Sequence, residues 1–551
     1  SPTLKEGVPD AEFDIDDADE RWEDYDGYTG WWSTGGTVEQ FSEKDLVDLI
    51  PLRVNIPAMV QDLPHALLRL RMDYGGAGDP RLYFYPNVSP GSDRIQFLTN
   101  PDTADVQLRQ IHTLSSWNSM PLMRSFPETD LANALPWGAS RRPGDHELLI
   151  QAKGAGTVKV RLTLLLSSYT GSNEIPVDSC TLTITDPEWL YSLVSARGTP
   201  SVPFNYPTDA GRTVSMLSYP YTLERDVHDP TVNKTLVFIH GYSVTSGEAE
   251  DSFKELYKRT FWAGFRGNFV GFTWEGDDWY VPFSGLLTSD GKHLFRPNQT
   301  HAFQSAPALI QFLRDIDATW GDDVTPADID VMAHSLGNQV MWEAMRINSW
   351  SGGGPLFHNA VSVEAAVWQE AFESEGPLTY SPDTITYNVD QFQRMSWRSW
   401  YNQPGHSPLA SLNGTAYNSW LADDYALAMM PWSDFIVNEP KHYNRRIRDP
   451  YRSPTNLAWI PTLMQHDNRY RKWAEGRYWY GIPQLNSAIG TMENTMEGVI
   501  NISAKDFGWR DGKHSDFLAV DHEKKGYYFS DIYAWYLDLF ETRKALPRGK
   551  D

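Results

Sequence analysis

The sequence predicts two architectures in one chain: an all-β sandwich in the N-terminal half, then a mostly parallel sheet flanked by helices on both faces. Two patterns carry this expectation. Between Leu49 and about Asp186, short runs alternate apolar and polar residues between turns, the period-two signature of half-buried strands. From about Ser215 onward, short apolar runs bounded by Gly or polar turns alternate with helical stretches, the signature of a parallel sheet covered by helices.

The N-terminal strands are expected at Pro51–Ile56, Ala66–Met72, Arg81–Tyr85, Glu147–Gln151, Thr157–Leu165 and Cys180–Thr185. None of them carries a constellation with obvious chemistry, so this region reads as a scaffold or surface-attachment module. The later strands are expected at Thr235–Ile239, Phe269–Trp274, Ile329–Met332, Asn359–Val363, Thr415–Trp420 and Val499–Ser503, with helices at Glu248–Phe261 and Ala306–Thr319. The implied domains are an acidic segment over 1–48, the β-sandwich over 49–195 and the α/β domain over 196–551, with Trp-rich insertions at about 368–414 and 429–495. Loops that long in a compact domain are usually lids or binding walls. Those insertions carry Trp397, Trp400, Trp432, Trp459, Trp473 and Trp479. They suit a bulky, aromatic, sugar-bearing or polymeric substrate, although such rings also build cores.

Composition narrows the partners. With 551 residues and a net charge of -25, the chain would repel nucleic acid and anionic membranes at long range. Cys180 is the only cysteine, so neither an internal disulfide nor a cysteine-rich metal cluster can form. No run approaches the roughly 20 apolar residues of a membrane span. The first residues, Ser1-Pro2-Thr3, lack an initiator Met and a signal-like apolar core, and read as a trimmed start. Acidity, 22 Trp and the β-rich first half together favour an extracellular or cell-surface protein of a bacterial-type cell. The carboxylates crowded between Asp10 and Asp26 alternate as in a Ca²⁺ loop but lack its central Gly and closing Glu, so a solvated acidic tail is expected.

The sharpest chemical signal is Ile329–Met345, where an apolar strand runs into Ala333-His334-Ser335-Leu336-Gly337 and an amphipathic helix follows at once. A serine raised on a tight strand-to-helix turn needs small flanking residues, because strand and helix backbones pass close together there. Ala333 stands where Gly is usual. In this the chain resembles the α/β-hydrolase superfamily, specifically its bacterial lipase- and esterase-like members, over roughly Ser215 to Leu539.

The resemblance implies an α/β-hydrolase fold and a serine-dependent carboxylic ester hydrolase working through an acyl-enzyme, with Ser335 as nucleophile. Leu236–Ser243 matches the family's His-Gly turn, which implies backbone N–H donors at Tyr242 and Leu336 for the oxyanion. His240 is expected to stabilise that turn without a catalytic part. The family order of serine, acid and histidine implies a late base, His514, in Lys513-His514-Ser515-Asp516-Phe517, with His522 as fallback. The acid is expected at Asp424, after the Thr415–Trp420 strand, with Asp423 and Glu364 as rivals for the role. Trp274–Trp279 receives no role. No cofactor or metal is called for. The competing functions are an amidase or acyltransferase with the same residues, and a non-catalytic surface or carbohydrate-binding protein.

Overall fold

The computed structural model describes residues 3–6, 49–56, 66–74, 81–88, 103, 106–107, 128–130, 144–153, 155–168, 171–209, 212–242, 244–262, 265–277, 295–320, 324–372, 400–421, 424, 427, 488–504 and 514. In the N-terminal region these form two four-stranded antiparallel sheets. One has the order Thr3–Glu6, Ile50–Ile56, Gly144–Lys153, Arg81–Pro86; the other Glu128–Asp130, Ala66–Tyr74, Gly156–Ser168, Gly171–Ile184. The alternating runs thus form strands, most of them longer than expected because ladder pairing extends beyond the apolar stretch.

The second half is built on an eight-stranded sheet. Its strands in chain order are β1 (Ser192–Ala196), β2 (Thr222–Arg225), β3 (Thr235–Ile239), β4 (Asn268–Trp274), β5 (Ile329–His334), β6 (Ala360–Val363), β7 (Ala416–Trp420) and β8 (Val499–Ser503). The spatial order is 2-1-4-3-5-6-7-8, and every pairing is parallel except that of β2 with β1. β3, β4, β5 and β6 are buried along their whole length, as expected of strands covered on both faces. The expected domain division at 195/196 falls inside β1, which pairs in parallel with β4, so the sheet takes in residues from Ser192.

Helix α1 (Ser246–Trp262) starts on a reciprocal cap. Thr245 N donates to Glu248 Oε2 at 2.6 Å, and Glu248 N donates to Thr245 Oγ1 at 3.3 Å. Helix α2 runs from Phe295 to Trp320, eleven residues earlier than the expected start at Ala306, with Pro307 inside it. Proline normally marks a first helical turn; here the buried faces of Ala302, Phe303, Ala306 and Leu309 continue the helix through it. Helix α3 (Gly337–Trp350) is buried over its first twelve residues.

Parts of the ranges expected as insertions, 368–414 and 429–495, belong to the body of the α/β region. Trp368, Ala371, Phe372, Trp400 and Tyr401 belong to the main apolar core. Trp400 donates its indole N–H to Glu343 Oε2 at 2.8 Å, so this Trp is a structural part of the core. Residues 488–491 return to β6 and β7: Ile489 N donates to Val367 O, and Gly490 O accepts from Leu421 N. The intervening stretches, with Trp397, Trp432, Trp459, Trp473 and Trp479, lie outside the described residues, as do the acidic segment at 10–26, Trp279, Asp423 and His522. Among the described residues no helix is long and apolar enough to cross a membrane.

One close approach fixes α3 against the sheet. A β-carbon on Gly337 would stand 2.3 Å from His240 O and 2.8 Å from Ile239 O, both main-chain atoms that cannot swing aside. Gly337→Ala should therefore cost about 3 kcal/mol or more of stability, read as a lowered midpoint of chemical denaturation.

Candidate active site

The site lies at the C-terminal ends of β3, β5, β6 and β7, and His514, which follows β8 in the chain, completes it. The sharp turn after β5 puts Ser335 in the left-handed region, at φ 50°. For an L-residue this costs about 1–2 kcal/mol and must be held by its surroundings. Ser335 N donates to Val363 O at 3.0 Å, while Ser335 O accepts from Ala366 N at 2.9 Å and from Asn338 N at 3.2 Å. The Asn338 side chain adds donations to Ala333 O at 2.8 Å and Ser335 O at 3.1 Å, bracing both flanks of the turn. Sequence reading does not single out Asn338. Its position one residue after Gly337, on the helix's first turn, is the signal that could have found it.

Ser335, His514 and Asp424 come together. His514 Nδ1 lies 2.7 Å from Asp424 Oδ2, and His514 Nε2 lies 2.6 Å from Ser335 Oγ. A carboxylate accepts, so Nδ1 carries the proton and Nε2 offers its lone pair to the serine hydroxyl. Asp424 is fully buried and is itself held, with Oδ1 accepting from Leu427 N at 3.0 Å and its N donating to Leu421 O at 3.0 Å. Glu364 also reaches the histidine, but its Oε2 stands 4.0 Å from Nδ1, beyond hydrogen-bonding range. Asp423 and His522 lie outside the described residues.

His334 enters the site unannounced by its sequence position, beyond being the residue before the serine. Its Nε2 donates to the main-chain oxygen of His514 at 2.7 Å, tying the His514 backbone to the end of β5. Burial, and next the neighbouring His514 charge, push its pKa well below the ordinary histidine value, so it stays neutral. His334, Glu364 and His514 are the described residues whose ligand-type atoms lie within 4.8 Å of one another. The hydrogen bonds leave protons on His334 Nε2 and His514 Nδ1, the ring atoms nearest Glu364, so the trio forms an acid–base cluster rather than a ready metal cage.

The turn after β3 lies against the serine. A β-carbon on Gly241 would stand 2.9 Å from Ser335 Cβ and 3.1 Å from His334 Nδ1, so only glycine lets the backbone entering Tyr242 pass so close. His240 holds this turn: Nδ1 donates to Gly241 O at 2.9 Å, and Nε2 accepts from Trp274 N at 3.1 Å. Its ring stacks on Trp274 at 5.7 Å. Burial first, then the Arg197 charge, lower its pKa well below the usual value, leaving it neutral. Tyr242 is half-buried, and burial pushes its phenol up to about 12, so it too is uncharged. Leu336 is fully buried at the start of α3, one residue after the serine.

Arg197, just past β1, has no sequence signal of its own and proves central to this turn. Its guanidinium donates from Nε to Thr273 Oγ1 at 2.6 Å, from Nη1 to Asp277 Oδ1 at 2.7 Å and from Nη2 to Val244 O at 2.8 Å. Nη2 also lies 3.3 Å from His240 Nε2. The Trp274–Asp277 segment therefore serves as a brace: Glu275 Oε2 accepts from Gly198 N at 3.1 Å, and Glu275 O faces His301 Nδ1 at 3.1 Å. A planar five-donor fork suits this task and an ammonium does not.

Comparison with known proteins agrees with this architecture over its central part. Residues 218–359 match the family described as alpha/beta hydrolase of unknown function (DUF900). No curated protein sequence matches the chain. Carboxyl esterase 2 of the mycorrhizal fungus Tuber melanosporum is similar in structure at 12% identity and a TM-score of 0.25, over 63% of this chain and 86% of that one. A bacterial heroin esterase gives 15% and 0.19, over 41% and 66%. The acylaminoacyl peptidase of Pyrococcus horikoshii gives 12% and 0.24, over 71% and 49%.

Removing the brace should loosen the whole corner. Arg197→Met is expected to cost about 2–4 kcal/mol, because it strands the partly buried Asp277 carboxylate and several acceptors at once; a denaturant titration that returns the wild-type midpoint would contradict it. With its parallel sheet, serine turn and matched segment 218–359, the C-terminal part of the chain carries an α/β-hydrolase domain.

Proposed function

We propose that the chain is a serine hydrolase that cleaves carboxylic esters through an acyl-enzyme. The observation carrying this reading is the unbroken hydrogen-bond path from Asp424 through His514 to Ser335 Oγ. Ser335 Oγ attacks the acyl carbonyl as His514 Nε2 takes the hydroxyl proton. Asp424 keeps the proton on Nδ1 and stabilises the imidazolium that forms. The backbone N–H groups of Tyr242 and Leu336 receive the oxyanion, and loss of one such donor typically costs about 3–4 kcal/mol of barrier.

Collapse of the tetrahedral intermediate expels the alcohol, which leaves with the proton held on His514. Water then gives a proton to Nε2 and attacks the acyl carbon, releasing the acid and restoring the serine. An ester fits better than an amide because an alkoxide leaves with less acid assistance than an amine requires.

The same reading extends to bulky, aromatic or polymeric esters, supported by the Trp-rich sequence between β6 and β7 and between β7 and β8. It places the protein outside a bacterial-type cell, supported by its acidity and aromatic content, with the N-terminal strands as a β-sandwich accessory module. Ser335→Ala should lower kcat on a short p-nitrophenyl ester by about 10⁴-fold or more and abolish labelling by a fluorophosphonate. Retained turnover in that variant would remove Ser335 from the reaction. Turnover of amides, or acyl transfer to added alcohols, in preference to ester hydrolysis would redirect the substrate class while leaving the serine in place.

A further inference from the structure

We infer that Glu364 is a second carboxylate serving His514, a positioning residue that shares with Asp424 the charge formed on the imidazole during turnover. This rests on the serine-hydrolase reading above. Among the described residues only two that are not glycine adopt the left-handed backbone, Ser335 at φ 50° and Glu364 at φ 44°. They occupy equivalent places on neighbouring strands, each one residue beyond the paired positions His334 and Val363. A long side chain with a β-carbon is a costly choice in that conformation, where glycine or asparagine would be easier. Non-glycine residues held in sparsely populated backbone regions concentrate at working sites.

The backbone around Glu364 is fixed from three sides. Its N donates to Ser419 O at 3.1 Å, Ala366 N donates to Ser335 O at 2.9 Å, and Gly490 N donates to Ala365 O at 3.0 Å. Gly490 presses so closely that a β-carbon there would stand 2.3 Å from Glu364 C. The side chain is fully buried, and its Oε2 lies 3.5 Å from His334 Nε2 and 4.0 Å from His514 Nδ1. Glu364 therefore faces both groups that set the base: the ring itself, and the imidazole that grips the base's main chain.

At 4.0 Å the carboxylate acts through its charge rather than through a hydrogen bond. It does little for a neutral imidazole and favours the imidazolium, the form present while the tetrahedral intermediate stands. No proton moves to it; the proton on Nδ1 stays hydrogen-bonded to Asp424. Other ionisable groups facing the ring among the described residues are His334 from the end of β5 and Asp424 beyond β7, with His240 and Arg197 behind His334. Burial holds the two neighbouring histidines neutral, which leaves Glu364 and Asp424 as the acidic groups beside His514 among the described residues.

The test compares pH profiles of kcat/KM on a p-nitrophenyl ester for the full chain and for Glu364→Gln, Asp424→Asn and the double variant. Glu364→Gln should lower kcat about tenfold or more with KM nearly unchanged. Its acidic limb should move to lower pH, because a carboxylate that favours the charged ring has been neutralised. Asp424→Asn should keep turnover that the double variant loses by roughly a further tenfold. Should Glu364→Gln fold poorly, Glu364→Asn, which suits the left-handed backbone, should show the same kinetic losses. An unmoved acidic limb, together with a double variant no slower than Asp424→Asn, overturns the role of Glu364. Fluorophosphonate labelling of the wild type at Ser335 reports on the underlying reading independently, and its absence overturns both.

Discussion

The strained turn after β5 is the constraint on which the site depends. A serine in the left-handed region is lifted clear of the sheet only while its neighbours hold it there, and here they do so from four directions: the strand beside it, the Asn338 amide, the Ala366 amide and the glycine backbone of the β3 turn. The two close approaches of Gly337 and Gly241 are the steric side of the same requirement. Neither tolerates a methyl group, because the atoms each would meet are backbone, or belong to the serine and its neighbouring histidine.

Around that turn the charges are arranged by burial. His240 and His334 sit in surroundings that disfavour their protonated forms, and each uses its remaining N–H to hold a backbone oxygen. Only His514, which is partly exposed, meets a carboxylate on one ring nitrogen and a hydroxyl on the other. Three imidazoles thus have three tasks, separated by what their nitrogens face. Arg197 joins the set from the opposite edge, linking β1, β4 and the β3 turn through one guanidinium.

Much of this was legible in the residue order. Strongly apolar runs gave strands within a residue or two, and Thr235–Ile239 and Val499–Ser503 fall where expected. The serine turn was legible because its steric demand writes small residues at fixed spacing. Asp424 and His514 could be nominated by their order after the strands and by short local resemblances, His514-Ser515-Asp516-Phe517 and the apolar Ala426-Leu427 after the acid. Hidden features depend on contacts between distant segments. Arg197 has no neighbour in sequence that explains it, the left-handed Glu364 breaks the expectation for its residue type, and α2 passes through a proline because tertiary burial outweighs local preference. The aromatic insertions misled in part: Trp400 looked like a binding ring and is fastened to a buried glutamate.

His514 stands 179 residues from Ser335 and 90 from Asp424, yet the three meet, although they follow three different strands, β8, β5 and β7, in the chain. Chain length between strand ends is thereby uncoupled from the chemistry. Segments joining β6 to β7 and β7 to β8 can be lengthened, shortened or exchanged at modest entropic cost, while the sheet keeps the reacting atoms in register. Such a scaffold lets the connecting segments change in length and composition while Ser335, His514 and Asp424 keep their mutual places.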